Sequence, residues 1–112
     1  MDDQLAARQF RLGANQSLFR EVNERVERLS GEPAAAEINF VCECASPECS
    51  ERIPLHLEAY EAVRADSTHF FVLSDHVFPE VEDVIDDRGD YVIVEKHGVG
   101  GRVAERADTR AS

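Results

Sequence analysis

The chain has no apolar run near the roughly 20 residues that cross a bilayer. Its start, Met1-Asp2-Asp3-Gln4, has neither the basic residues nor the apolar stretch of a signal peptide. The expectation is a cytoplasmic protein with no membrane contact. Also absent are a Gly-x-Ser-x-Gly elbow, a phosphate loop and a dinucleotide fingerprint, so the usual motif-bearing enzyme classes find no support. Basic residues are scarce: 12 stand against 23 Asp and Glu, giving a net charge of −11, with no basic stripe interleaved with aromatics. The attraction that supplies nonspecific binding to phosphates is thereby reversed, which argues against direct nucleic-acid binding. Cysteine is limited to three residues, an odd number that no disulfide scheme uses completely.

What is there begins with those cysteines. Cys42, Cys44 and Cys49 lie within Cys-Glu-Cys-Ala-Ser-Pro-Glu-Cys, and a Cys-x-Cys pair is too closely spaced to bridge without severe strain. Three thiolates from one short loop are what a tetrahedral Zn2+ ion needs, with a histidine as the usual fourth ligand. Free thiols also fit a reducing compartment, where clustered cysteines hold metal more often than they form bridges. A chain of 112 residues suits one small domain. Such a domain buries only about two thirds of the surface its unfolded chain exposes, so a metal staple is useful.

The pattern of apolar residues predicts an α+β fold: a long N-terminal helix, a short second helix and a small antiparallel sheet of four or five strands carrying a metal-binding loop. Residues 1–31 read as an N-terminal amphipathic helix. Leu5, Leu12, Phe19 and Val26 recur every seven residues, and Val22 and Leu29 complete a stripe over the second half. Gly13 interrupts the first half, leaving open a frayed arm followed by a firm helix from about Gln16 to Ser30. Gly31 and Pro33 form a stop signal. The stripe of Phe19, Val22, Val26 and Leu29 lies either on the domain's own sheet or against a partner helix or a second copy.

From 37 to 97 the sequence reads as the zinc-stapled α+β domain. Ile38, Phe40 and Cys42 alternate with Asn39, Val41 and Glu43 in a strand that runs into the thiol cluster. Arg52 to Leu55 is a second short strand, placed at an edge or strand end by Pro54. Glu58 to Ala65 is a helix, Phe70 to Leu73 a strand, Ser74 to His76 a loop, and Val81 to Ile85 a further strand. Arg88-Gly89-Asp90 turns the chain into Tyr91 to Glu95, making a hairpin. Residues 98–112, rich in Gly, Ala, Arg and Ser, are expected to be a disordered tail.

Phe19 to Val26, Phe40-Val41-Cys42-Glu43-Cys44 with Cys49, Leu57 to Arg64, His76 with Pro79 to Glu82, and Tyr91 to Lys96 together resemble a family of small proteins of high-GC, actinobacterial-type bacteria. That group carries a Cys-x-Cys-x4-Cys plus His site and has no established activity. The resemblance spans residues 19 to 96 and implies fold and site rather than function. Lys96 being the sole lysine fits the codon skew of such genomes. In the family a histidine follows the central strand, usually as Gly-His; the matching position is His76, preceded here by Ser74-Asp75. His76 is also the best fourth ligand on local grounds, since a loop lets its ring turn inward and Asp75 can orient it. His56, close to Cys49, is the runner-up, while His69 and His97 read as rim histidines.

Deamination is the one metal chemistry the cysteines imitate, but the spacing differs from its Pro-Cys-x-x-Cys signature and its helix is replaced by a strand. Three readings remain. The first is a protein-interaction or regulatory module with a structural zinc. It would bind another protein through Phe19, Val22, Val26 and Leu29 or through the acidic segment 75–90, where Asp75, Glu80, Glu82, Asp83, Asp86, Asp87 and Asp90 face one base, Arg88. The second is a thiol sensor that releases zinc on oxidation. The third is a small metal-dependent enzyme. The first fits the charge, the size and the missing catalytic motifs best.

Overall fold

The computed structural model describes residues 2–30, 37–108 and 110, so Gly31, Pro33 and the rest of the expected linker lie outside the described residues. Helix α1 (Asp2–Ser30) comes first and runs without a break past Gly13. Strands β1 (Glu37–Val41) and β2 (Arg52–His56) pair antiparallel, Phe40 opposite Ile53 and Ile38 opposite Leu55. Helix α2 (Leu57–Arg64) leads to β3 (His69–Val72), and a 3-10 turn (Ser74–His76) follows. Strands β4 (Glu82–Asp87) and β5 (Val92–Lys96) form the expected hairpin, and the chain goes on into helix α3 (Gly98–Ala107). The fold is α+β. Its five strands divide between two small antiparallel sheets, β1-β2 and β3-β5-β4.

The alternation of apolar and polar residues explains the strands. In β1 and β2 every second side chain is buried, which sends Ile38, Phe40, Ile53 and Leu55 into one core. The Phe40 ring stacks on Tyr60 of α2 with centroids 4.3 Å apart, and Phe71 of β3 meets both edge-on. This aromatic cluster ties the two sheets and α2 together.

Helix α1 corrects one of the two readings of its stripe, that it lies wholly on the domain's own sheet. Val22 and Leu29 are exposed, Leu29 to 85%, and Phe19 and Val26 are only half-buried. The face turned inward carries Gln16, Arg20, Asn23 and Glu24. A buried polar face is stable only when its groups find partners, and here most do, Gln16 Oε1 being the exception on this face. Gln16 Nε2 donates to Glu82 at 2.8 Å. The Arg20 guanidinium donates to the carbonyls of Ser67 (2.6 Å) and Ala104 (2.7 Å) and lies over the Phe70 ring. Glu24 accepts from the Tyr60 hydroxyl and from Arg64 and Arg110.

The second correction concerns the end of the chain. The segment from Gly98, expected to be a disordered tail, is helix α3 through Ala107, with Gly100, Gly101 and Ala104 buried. Its glycines permit close packing. A Cβ on Gly13 would meet Gly100 Cα at 3.1 Å, and one on Gly100 would stand 2.6 Å from Lys96 Cε. Asp108, just after the helix, forms a buried pair with Arg64 at 2.7 Å. Residues 109, 111 and 112 of the expected tail lie outside the described residues.

Candidate metal centre

Between β1 and β2 the chain makes a ten-residue loop, Cys42 to Glu51, that holds all three cysteines. It is fastened at several points. Cys42 N–H donates to Glu51 O (2.9 Å), closing the loop's base, and Glu43 N–H donates to Phe71 O (3.0 Å), joining it to β3. Helix α1 grips it from the other side, because Asn15 Nδ2 donates to Ala45 O at 3.0 Å and Asn23 bonds Val41 just before Cys42. Cys42 and Cys44 are buried, while Cys49 is partly open.

His76 arrives from the turn after β3. Its backbone N–H donates to Leu73 O at 2.9 Å, curling the chain so that the ring faces the thiols. His76 Nδ1 stands 3.6 Å from Cys42 Sγ and 3.5 Å from Cys49 Sγ. One donor atom from each of Cys42, Cys44, Cys49 and His76 lies within 4.8 Å of all the others, a group that could hold a metal ion. The free ring nitrogen, Nε2, points toward Asp75 Oδ1 at 3.8 Å, the carboxylate placed there by the sequence. The Leu73 N–H aims at Cys42 Sγ (3.4 Å), a backbone donor suited to a thiolate.

The other histidines stand apart from this group. His56 lies 3.9 Å from Glu37 on the β1-β2 pair. His97 faces Asp83 at 3.9 Å. His69 lies between Asp66 and Glu95, a second trio close enough to hold an ion but partly or fully exposed, with Asp66 already engaged by Thr68.

The electrostatics of the thiols follow from their crowding. Hydrogen bonding from Cys42 holds the Cys44 thiol down at about 5, against the desolvation that opposes it. Cys42, donating to Cys44 and buried, is pushed far up, and burial raises Cys49 as well.

Glu43, between the first two cysteines, is a feature the sequence reading missed. Its side chain points away from the thiols into the core, where burial lifts its carboxyl to about 7 against the pull of Asn23, Arg20 and Arg64.

The outer side of the cluster opens on a cleft of about 290 Å³ lined by Cys49, His76, Asp75, Phe78 and the Ser46 and Glu48 side of the loop. Comparison with protein-family models, curated proteins and solved structures finds no match to this chain. Among the described residues no helix is long and apolar enough to cross a membrane.

Proposed function

We propose that Cys42, Cys44, Cys49 and His76 bind one Zn2+ ion that staples a small acidic protein-interaction module. The observation that carries the zinc reading is the spacing of His76 Nδ1 from two sulfurs, 3.5 and 3.6 Å. Zinc bonds of about 2.3 Å to sulfur and about 2.0 Å to nitrogen, opened to tetrahedral angles, set sulfur and nitrogen about 3.5 Å apart. Three soft thiolates and an imidazole favour zinc over hard cations. Four protein ligands fill a tetrahedral sphere and leave no position for water, so the metal's role is structural. Interaction, as the purpose of the module, is supported by the net charge of −11 and by the apolar side chains left exposed on α1 and β4.

A second reading is favoured by one observation: Cys49 is partly exposed beside the cleft. A peroxide reaching it would take two electrons from a pair of thiols, forming a disulfide and water, and would release the ion.

The test is metal content by native mass spectrometry and elemental analysis of untagged, reduced protein. One zinc per chain, lost in Cys44→Ser and weakened in His76→Ala, is the expected result. A folded chain that binds no metal would overturn the staple. Zinc ejected by stoichiometric peroxide would favour the sensor.

A further inference from the structure

Among the described residues, the large apolar side chains left in solvent lie on two elements, α1 and β4. On α1, Leu18, Val22 and Leu29 are 62%, 38% and 85% exposed and share one face by their i, i+4, i+11 spacing. Arg25 completes that face at the i+7 position, with Arg28 beside it; both are exposed, and neither makes an ion pair with the described residues. Glu21, one turn before Arg25, tempers this charge, but two arginines against one glutamate leave the face net basic on a chain of net charge −11. On β4, Val84 and Ile85 are about half exposed. β4 is an edge strand of the three-stranded sheet, with a register shift between Val84 and Asp86 that leaves Ile85 unpaired. Asp83 and Asp87 flank the apolar pair and are exposed, Asp83 with His97 at 3.9 Å and Asp87 accepting from Gly89 N–H through one oxygen, while Asp86 is engaged by Arg88 at 2.7 Å.

We propose that the Leu18-Val22-Arg25-Leu29 face of α1 docks on the β4 edge of a second copy of this chain, Arg25 and Arg28 facing Asp83 and Asp87. The two patches match in kind, apolar centre against apolar centre and basic rim against acidic rim. They also match in size, since the stripe rises about 16 Å along the helix and the strand segment about 13 Å. Screening over about 8 Å at physiological salt mutes the repulsion between two acidic chains but not pairs in contact. A helix homodimer through this same face would set Arg25 and Arg28 against their own copies, so the acidic strand is the better complement. The contact joins different surfaces, and association runs past a dimer unless a two-fold axis closes it. The inference rests on reading the chain as an interaction module.

The experiment is sedimentation of the full-length protein from micromolar to millimolar concentration, with metal content and circular dichroism recorded for every variant. Wild type is expected to exceed the mass of one chain as concentration rises, and Leu18→Glu with Leu29→Glu, or Val84→Asp alone, to remain monomeric. Arg25→Glu should weaken association about tenfold, and adding Asp87→Arg should restore most of it. A wild type that is monomeric at one millimolar overturns the proposal. So does association that survives both apolar lesions, or a charge swap that fails to restore it. Metal content unchanged through such a result leaves the zinc reading standing, whereas a chain without zinc that still associates through these patches separates the two the other way.

Discussion

Asn23 of α1 pairs with the backbone of Val41 in both directions, its Oδ1 accepting from Val41 N–H at 2.8 Å and its Nδ2 donating to Val41 O at 2.9 Å. The same amide donates to Glu43 Oε2 at 2.9 Å. One helix side chain thus acts as a short neighbouring strand for the residue before Cys42 and fixes the start of the metal loop. Asn23→Ala leaves a buried N–H, a carbonyl and a carboxylate short of partners, and should destabilise the fold by about 2 to 4 kcal/mol in urea titration. Because it loosens the support of Cys42 and Cys44, it should also weaken metal affinity about tenfold. An unchanged metal affinity would show that the loop is held from the sheet side alone.

Metal binding should expel protons in a number set by the thiols. Hydrogen bonding from Cys42 holds Cys44 low, at about 5, whereas Cys42 and Cys49 are raised. Closing three thiolates on an ion therefore releases roughly two thiol protons, and apparent affinity should climb about 100-fold per pH unit while both thiols are protonated in the free protein. Calorimetry in buffers of different ionisation enthalpy counts them directly. A count near zero would mean the thiols are ionised before metal arrives.

The strands, the second helix, the hairpin and the cysteine cluster were legible because each is written in local chemistry: alternation, Gly89 in a turn, thiols at short spacing. The glycines of α3 were not. Gly98, Gly100 and Gly101 read as chain too poor in side chains to build a core, yet they permit contact with α1 and Lys96, an advantage visible only when the distant partner is in place. Gly13 misled in the same way, as an apparent interruption that is instead the α1 side of the α1-α3 contact. The inward face of α1 was hidden for a related reason. Gln16, Arg20, Asn23 and Glu24 look like a solvated surface until the carbonyls, carboxylates and hydroxyl that engage them are supplied by residues far along the chain. For the site, the loop after the central strand already favoured His76 over His56, His69 and His97, and the turn after β3 brings its ring to the thiols.

Gly100→Ala tests the packing reading with an outcome opposite in sign to helix propensity. In an open helix the change would stabilise by about 1 kcal/mol. Here the added methyl would stand 2.6 Å from Lys96 Cε and 3.2 Å from its Cγ, so the side chain of Lys96, fully buried beside Glu82, has to shift. The expected result is a loss of about 1 to 3 kcal/mol, read as a lower urea midpoint. A gain in stability would mean that α3 sits farther from β5 than described.

The C-terminal end of α3 should be the first part of the fold to release in acid. Burial opposes ionisation of Asp108, but hydrogen bonds from Arg64 and the Arg110 N–H outweigh it and hold the carboxyl well below its usual range. Glu24 is lowered as well, its burial overcome by Arg110, Tyr60 and Arg64. A carboxyl depressed in the folded state stabilises above its unfolded value, about 4, and that contribution is lost as pH falls from there toward the folded value. Amide exchange of α3 should accordingly accelerate below about pH 4, while β1 and β2 stay protected. Asp108→Asn, which removes the nearer of the two carboxylates paired with buried Arg64 and leaves Glu24 at 3.3 Å, should cost about 1 to 3 kcal/mol at pH 7 and flatten the acid response of α3. If α3 and the β1-β2 hairpin instead lose protection together at every pH, the pair stabilises the whole fold rather than docking its last helix.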